Sequence, residues 1–380
     1  MTTFSVSETP IDEALNSVRR KFEMTPKVAI AGFGKAGKSS LFNAIYGQQV
    51  AAVSMRTDET QATQTERRFG INFTDTPGIG TGKFSLEKVD QMAVFDRQHV
   101  VIHVLNGSSA ISAEDEKLHA LIERSTARRV TAINKVDILD EREQREYAES
   151  LMEKLGLSVR GRDFFFVSAK KREGIDTLVR HIADILPDAM QDAFIGQQRA
   201  DISLKEKRIR TLVYSKAAIA GAVALIPIPV ADIVILTPMQ VAMVTAIGYF
   251  HGVAVTKERV LELLSVLGAA YGLREAARQL VKLIPGVGSA VSASVAFAGT
   301  VALGEAANLW FKRQMQIPAD ELRQVFTATV AKAREDYETS KTTDSETKAK
   351  VEGLTARRAK GELSDDDFAR LLEEVVGKAD

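Results

Sequence analysis

Apolar and polar positions alternate in blocks through the first half of the chain. Short runs rich in Val, Ile and Phe are separated by longer segments whose apolar residues follow helical spacing. The short runs predict five strands, at residues 27–32, 71–75, 100–106, 129–134 and 164–168. Because strands that alternate with helices pair in parallel, we predict an α/β domain with a mostly parallel sheet and helices on both faces.

From residue 188 onward no strand pattern returns, and the sequence predicts helix throughout. Asp232 is the only charged residue between Lys216 and Lys257, and proline-containing segments at 225–229 and 283–287 predict two bent helical hairpins. The whole pattern predicts four parts: an N-terminal helix at 1–26, the α/β domain at 27–187, an all-α hydrophobic helical domain at 188–318, and a charged helical tail at 319–380 that ends in a short helical hairpin.

Composition narrows the functional classes only slightly. The 50 basic and 50 acidic residues cancel, so there is no global attraction to nucleic acid or to anionic lipid. The lack of cysteine excludes disulfides. No apolar run followed by small residues marks the N-terminus, so we expect no signal peptide and a cytoplasmic location. His99 and His103 flank an apolar run and are expected to be structural residues rather than metal ligands.

The first chemical motif follows the first predicted strand and fits GxxxxGK[ST]. Its glycines let backbone amides curl around phosphate oxygens, and the helix that follows adds positive potential at its N-terminus. We expect Lys38 to reach the β- and γ-phosphates, as a catalytic residue, and the Ser39 hydroxyl to bind Mg²⁺. The predicted nucleotide contacts in this loop are Gly32, Gly34, Lys35, Ala36, Gly37, Lys38, Ser39 and Ser40.

A second motif, Asp75-Thr76-Pro77-Gly78, ends the predicted strand at 71–75. Asp75 is suited to hold Mg²⁺, either directly or through water. The Gly78 amide can meet the γ-phosphate, which makes it both a catalytic candidate and a sensor of that phosphate.

Two further motifs end the later strands. In Asn134-Lys135-Val136-Asp137, the Asp137 carboxylate can accept two hydrogen bonds from guanine that adenine cannot donate. The backbone of Ser168-Ala169-Lys170 is placed to contact the guanine O6. Four motifs in this order, each at the carboxyl end of a strand, predict a guanine-nucleotide site. Its base-binding residues are Asn134, Lys135, Asp137, Ser168, Ala169 and Lys170.

These motifs resemble the translation-factor-related class of P-loop GTPases, particularly its Era- and TrmE-like branch. The resemblance covers about residues 27–187 and implies GTP and GDP as ligands, Mg²⁺ as cofactor, and slow hydrolysis of GTP to GDP and phosphate. It also implies a switch threonine that closes on Mg²⁺. The candidates, in a polar and turn-rich segment, are Thr57, Thr60, Thr63 and Thr65, of which Thr60 is favoured and Thr63 comes second.

Two residues depart from the family pattern. Ile79 stands where Ras-like enzymes have a water-orienting glutamine, so hydrolysis needs another source of water positioning. Lys35 stands where potassium-dependent relatives have an asparagine, and a cation there disfavours a bound K⁺. We therefore predict hydrolysis that is slow, independent of K⁺ and stimulated by dimerisation or a partner. The alternative for Lys35 is a solvated side chain.

The apolar helices allow two interpretations. Segments 233–250 and 283–304 approach the ~20 residues that cross a hydrocarbon core. Their many Ala, Gly and Ser residues, and Asp232, instead suit helices buried in a bundle. This half resembles a hydrophobic helical domain of unknown function found behind bacterial GTPase domains and, more loosely, the helical parts of dynamin-like and immunity-related GTPases. That resemblance implies a homodimer or oligomer acting at a lipid surface, on the inner face of the cell membrane.

The tail carries a small apolar face that suits oligomerisation or docking of a protein partner, with a solvated tether as the alternative. The leading functional hypothesis is thus a membrane-acting GTPase switch. The alternatives are a soluble Era-like GTPase that assists RNA or ribosome maturation, and a regulatory GTP sensor. Nucleic acid is disfavoured as a partner because no KH-type GxxG motif or aromatic platform follows residue 187.

Overall fold

The computed structural model describes residues 9–24, 26–47, 64–68, 71–75, 86, 95–158, 163–224, 237–264, 266–267 and 288–340, with scattered positions between 350 and 375. Two compact units emerge from it. One contains residues 21–205, and the other contains residues 1–20 together with 206–380. The first unit extends beyond the predicted span of 27–187 because helix α6 and a polar connector, described below, pack with the α/β core.

A six-stranded sheet organises residues 21–205. Its order is β2-β3-β1-β4-β5-β6, with β2 antiparallel to β3 and every other pair parallel. The strands are β1 (Lys27–Ala31), β2 (Gln64–Arg68), β3 (Ile71–Asp75), β4 (Val100–Asn106), β5 (Arg128–Asn134) and β6 (Phe164–Val167). The five predicted strands and the mostly parallel sheet are therefore confirmed, to within one residue at each end.

Strand β2 was not predicted. Its sequence, Gln-Thr-Glu-Arg-Arg, has no apolar residue and was assigned to a turn-rich segment. Among the described strands it pairs with β3 and lies at the edge of the sheet, where a strand needs fewer apolar residues than in the centre. Thr65, one of the four switch candidates, lies in this strand opposite Thr74. The turn assignment was wrong for residues 64–68.

Among the described residues of this unit, five helices accompany the sheet: α2 (Lys38–Tyr46), α3 (Ala113–Arg124), α4 (Glu141–Leu155), α5 (Ile175–Ile185) and α6 (Asp188–Gln197). Ser112 and Asp140 begin α3 and α4 with reciprocal caps. The α3 side chains pack on alternate residues of β1, Ala29 and Ala31, and on Val101 of β4. Helices α3 and α4 contact each other, as do α2 and α5. Helices on both faces of the sheet are thus confirmed.

In the described residues of the other unit, helices are joined by turns and irregular segments, and no strand is present. Its long helices are α7 (Ile202–Ala224), which begins in the first unit, α8 (Thr237–Phe250), α9 (Gly288–Lys312) and α10 (Ala319–Ser340); residues 257–264 are helical as well. Helix α9 packs against both α8 and α10. A buried hydrogen bond of 3.1 Å joins Gln240 on α8 to Thr300 on α9. None of the described helices combines the length and apolar character needed to cross a membrane.

Several predictions about the helical half fall outside the described residues, including both proline-bent segments at 225–229 and 283–287. The predicted N-terminal helix is present as α1 (Pro10–Glu23), which Thr9 precedes. In the tail, Leu354, Leu363 and Val375 pack against a buried cluster that includes Ile219, Ala220, Val223 and Ala296. Part of the tail's apolar face therefore packs within this unit.

Candidate functional site: a loop frame at the carboxyl edge of the sheet

The loop between β1 and α2 depends on glycine at two close approaches. A Cβ on Gly32 would lie 2.4 Å from the backbone oxygen of Val104, and a Cβ on Gly37 would lie 2.3 Å from Nδ2 of Asn134. Gly37 and Lys35 both adopt positive φ angles, of 88° and 64°, a conformation that glycine adopts easily and other residues rarely do. Gly34 has no atom within 4 Å of its Cβ position, so local packing does not demand glycine there.

Helix α2 begins directly after this loop, at Lys38. The Lys38 ammonium group donates to the backbone oxygen of Phe33, over 3.3 Å, and so lies against the loop. Ser39 is half-buried and Ser40 is exposed in the first turn, which contains no acidic residue. The first backbone N–H groups of a helix have no partner within the helix, so this end offers donors and positive potential to an anion.

The predicted magnesium and switch residues lie largely outside the described chain. Asp75 is the last residue of β3, and its backbone pairs with that of Ile30 on β1, one residue before the end of that strand. This register puts Asp75 at the same edge of the sheet as the phosphate loop. Gly78 and the switch candidates Thr57, Thr60 and Thr63 belong to the segments that the structure does not describe.

Asn134, at the end of β5, links three loops through its buried side chain. Its Nδ2 donates to the backbone oxygen of Ala36 over 3.0 Å and to that of Gly37 over 3.4 Å. Its Oδ1 accepts from the backbone N–H of Lys135 over 2.8 Å and from that of Ala169 over 3.0 Å. Both ends of the amide thus bind protein. Asn134 was predicted from the sequence as a nucleotide contact, but this bridging role has no sequence signal, because the bonded residues are far apart along the chain.

Asp137 is held in place by a residue from the neighbouring loop. The buried Ser168 hydroxyl donates to Asp137 Oδ1 over 2.7 Å and accepts from the backbone N–H of Lys171 over 3.0 Å. The bond from Ser168 lowers the pKa of the Asp137 carboxyl, and the positive charges of Lys171 and Lys170 act in the same direction. The carboxylate is therefore ionised at neutral pH and oriented, as a base-reading acceptor must be.

Three of the five histidines lie in or against the sheet. His99 Nδ1 accepts from the backbone N–H of Lys27 over 2.8 Å. His103 on β4 and His119 on α3 are both buried, with ring centroids 5.6 Å apart. Burial lowers the pKa of His103 to about 3 and also lowers that of His119. Within the described residues, no group of three or more His, Asp or Glu side chains is arranged to hold a metal.

Chemically, this edge of the sheet combines an anion cradle with an ionised, oriented carboxylate. The cradle is the loop 32–37 with the start of α2, and the carboxylate is Asp137. Asn134 joins the two by direct hydrogen bonds. Ser39 and Asp75 would bring oxygen ligands to a magnesium ion, which takes few protein ligands when phosphate oxygens supply others. Asp75 and Asn134 lie at strand ends, as the sequence predicted, but the sequence gave no signal for the hydrogen bonds of Asn134.

Comparison with known proteins gives the same picture. The family described as "50S ribosome-binding GTPase" matches residues 27–135. GTPase Era of Afipia carboxidovorans is 29% identical over 200 residues, which are 49% of this chain and 63% of that protein. GTPase Der of Persephonella marina is 29% identical over 208 residues, which are 49% of this chain and 44% of that protein. The chain thus spans about half the length of the curated relatives it matches.

Among solved structures, the chain is similar to Era in complex with MgGDPNP and nucleotides 1506–1542 of 16S ribosomal RNA. The two share 22% identity with a TM-score of 0.34, over 43% of this chain and 58% of that one. The sheet topology, the order of the four motifs, and the matches in sequence make the amino-terminal half of the chain, residues 27–135 above all, similar to Era-like P-loop GTPase domains.

Proposed function

We propose that the protein is a molecular switch that binds GTP and GDP with Mg²⁺ and hydrolyses GTP slowly. The observation that carries this proposal is the frame of hydrogen bonds around Asn134, which joins the phosphate loop to the guanine loop. A site built this way holds the two ends of a nucleotide at a fixed separation. The oriented carboxylate of Asp137 then distinguishes guanine from adenine.

Within this proposal each residue has a stated role. Lys38 binds the β- and γ-phosphates, and Ser39, Asp75 and Thr60 hold Mg²⁺, which when bound neutralises phosphate charge. Gly78 donates its amide to the γ-phosphate. Ile79 offers no hydrogen bond to a water molecule, so the intrinsic hydrolysis rate is low and rises on self-association or contact with a partner.

Base specificity gives the direct test. Asp137→Asn replaces an acceptor with an amide that can donate to the O2 of xanthine, so affinity should move from GDP to XDP. Fluorescent-nucleotide titrations of wild type and variant with GDP, XDP and ADP as competitors measure this shift. Asp184→Asn, at an exposed position on α5, is the matched control. Equal competition by ADP and GDP in the wild type would refute guanine recognition.

The role of Lys35 is tested by the monovalent cation. With an ammonium group beside the phosphates, single-turnover hydrolysis should proceed at the same rate in K⁺ and Na⁺ buffers of equal ionic strength. Lys35→Asn should introduce an advantage for K⁺, because the vacated position offers an oxygen ligand instead of a positive charge. A large K⁺ advantage in the wild type would show that Lys35 is merely solvated.

For the place of action we propose the inner face of a bacterial membrane, with the protein acting as a dimer or larger assembly. The support is the apolar composition of the second half, where Asp232 is the only charge between Lys216 and Lys257. The described parts of α8 and α9 bury much of their apolar surface against other helices of the same unit. Lipid contact on this proposal is superficial and depends on the nucleotide.

A second candidate is a soluble GTPase that assists ribosome maturation and uses its helical half to bind protein. The family description, a ribosome-binding GTPase, and the similarity to Era and Der favour it. The burial of the apolar helices within their own unit is equally consistent with a protein-binding module.

One pair of experiments separates the two candidates. Liposome flotation and ribosome co-sedimentation are run in parallel with GDP, GTP and a non-hydrolysable GTP analogue. Flotation that depends on the nucleotide supports the membrane proposal. Co-sedimentation with ribosomes, without flotation in any state, favours the second candidate and overturns the first.

A further inference from the structure

The loop that follows β6 is closed by two backbone hydrogen bonds. The N–H of Ser168 donates to the oxygen of Glu173 over 2.9 Å, and the N–H of Glu173 donates to the oxygen of Ser168 over 3.1 Å. Ser168 and Ala169, at the start of the loop, face the guanine motif through their bonds to Asp137 and Asn134. The loop is therefore a small closed unit whose position fixes one side of the base site.

Arg172, near the end of this loop, adopts a φ of 60°, which a non-glycine residue rarely does. Its Nη2 donates to the backbone oxygen of Ala44 over 3.1 Å and to that of Arg199 over 3.2 Å. The N–H of Arg199 donates in turn to the oxygen of Ile45 over 2.7 Å. An unusual backbone conformation thus accompanies a side chain that ties together three parts of the chain.

Ala44 and Ile45 belong to the last turn of α2, whose final carbonyl groups have no partner within the helix. A guanidinium group is well suited to that end, because it donates to the free carbonyls and complements the negative end of the helix dipole. The opposite end of the same helix carries Lys38 and Ser39, at the phosphate loop. Arg172 therefore connects the guanine loop to the far end of the helix that carries the phosphate-binding residues.

Arg199 lies in the connector between α6 and α7, which a buried polar network holds. Gln198 Oε1 accepts from the backbone N–H groups of Ala200 and Asp201, both over 2.8 Å. Asp201 accepts from Arg180 on α5 over 2.6 Å and from the N–H of Leu204 in the first turn of α7 over 2.9 Å. The connector therefore has a defined conformation, and the start of α7 is fixed to it.

We infer that Arg172 is a positioning residue that links nucleotide retention to the conformation of the connector at residues 198–201. It holds the guanine loop against α2 and holds the connector through the Arg199 carbonyl, so a change in either partner loosens the other. Such a link is reciprocal: a nucleotide that fixes the loop stabilises the connector, and a loosened connector releases nucleotide faster. The inference rests on the proposed guanine-nucleotide binding.

The first test is the dissociation rate of fluorescent GDP in stopped flow. Arg172→Ala should release GDP at least tenfold faster, with an association rate within about twofold of wild type, because the loop still forms but is no longer held. Arg172→Lys, which keeps a cationic donor, should release GDP at close to the wild-type rate. Arg142→Ala, an exposed arginine on α4, is the control. Release from Arg172→Ala at the wild-type rate overturns the inference.

The second test addresses the link itself. Gln198→Ala loosens the connector without touching the guanine loop, and it should raise the GDP dissociation rate several-fold in the wild-type background. In the Arg172→Ala background it should add little, because the route between connector and loop is already broken. Multiplicative effects would contradict coupling through Arg172. Circular dichroism and thermal unfolding of each variant check folding, and Arg172→Gln, which removes the positive charge and shortens the side chain, carries the dissociation test if the alanine variant does not fold.

Failure of this inference differs from failure of the proposed function. If the wild-type protein binds no fluorescent GDP, guanine-nucleotide binding itself is refuted, and the inference with it. If the wild type binds GDP and Arg172→Ala releases it at the wild-type rate, only the inference is refuted.

Discussion

Asn134 fixes the distance between the phosphate loop and the guanine loop, because each end of its buried amide is hydrogen-bonded to a different one of them. Asn134→Ala would leave the carbonyl of Ala36 and the N–H of Ala169 without these partners. We expect GDP affinity to fall roughly 10- to 100-fold, since a lost buried hydrogen bond costs on the order of 1–3 kcal/mol. Isothermal titration calorimetry measures the change. Asn308→Ala, in the helical unit, should leave affinity unaltered.

The buried pair of His103 and His119 gives the GTPase domain a predictable response to acid. Burial, and then the positive charge of its neighbour, lower the pKa of His103 to about 3, below its ordinary value of 6.5. Burial also lowers the pKa of His119, as does the nearby charge of Arg129, while Glu123 opposes the shift. The unfolded chain therefore binds more protons than the folded chain below pH 6.5, so stability is lost as pH falls.

The size of this effect follows from linkage. At pH 5 each histidine that stays neutral in the fold lowers the free energy of unfolding by about 2 kcal/mol relative to pH 8. His103→Leu should reduce the slope between pH 7 and pH 5, as measured by urea unfolding at each pH. An unaltered slope in His103→Leu would assign the acid response to other groups.

At the scale of elements, the predictability of each one follows from where its stabilising contacts lie. Strand β4 was evident because its apolar run is buried on both faces, as a central parallel strand requires. Strand β2 was not evident, because its own sequence has no apolar pattern and its formation depends on pairing with β3. The motifs predicted which strand ends meet. The contacts of Asn134 and Arg172 join residues far apart in sequence, and local patterns carry no information on them.

At two glycines in the helical unit, substitution by alanine is expected to have opposite effects on stability. A Cβ on Gly304 of α9 would lie 2.5 Å from Cγ2 of the buried Val213 on α7, whereas a Cβ on Gly221 would meet atoms at ordinary contact distances of 3.4 Å and more. Alanine favours a helix by up to about 1 kcal/mol over glycine. Overpacking typically costs about 1–3 kcal/mol and should outweigh that gain at Gly304.

We therefore expect Gly304→Ala to destabilise the helical unit and Gly221→Ala to stabilise it or leave it unchanged. Thermal unfolding followed by far-ultraviolet circular dichroism provides the comparison. A stabilised Gly304→Ala variant would mean that α7 and α9 move apart at little cost.

For the whole molecule, the two units have separate cores, and the proposed ligand binds only one of them. A ligand stabilises what it binds, by about 2.7 kcal/mol at a concentration of 100 Kd. Differential scanning calorimetry should therefore show two transitions. GDP with Mg²⁺ should raise the midpoint temperature of the transition that belongs to residues 21–205. Gly304→Ala should lower the midpoint temperature of the other transition.

The coupling proposed for Arg172 sharpens this expectation, because α7 begins at the connector and continues into the helical unit. If the connector transmits the nucleotide state along α7, GDP should also slightly raise the midpoint temperature of the second transition; we call this the secondary shift. Arg172→Ala should abolish the secondary shift. At saturating GDP it should preserve the larger shift of the transition that belongs to residues 21–205. A single transition that moves as a whole would show that the two units unfold together. Two transitions with no secondary shift would confine the action of Arg172 to the nucleotide site.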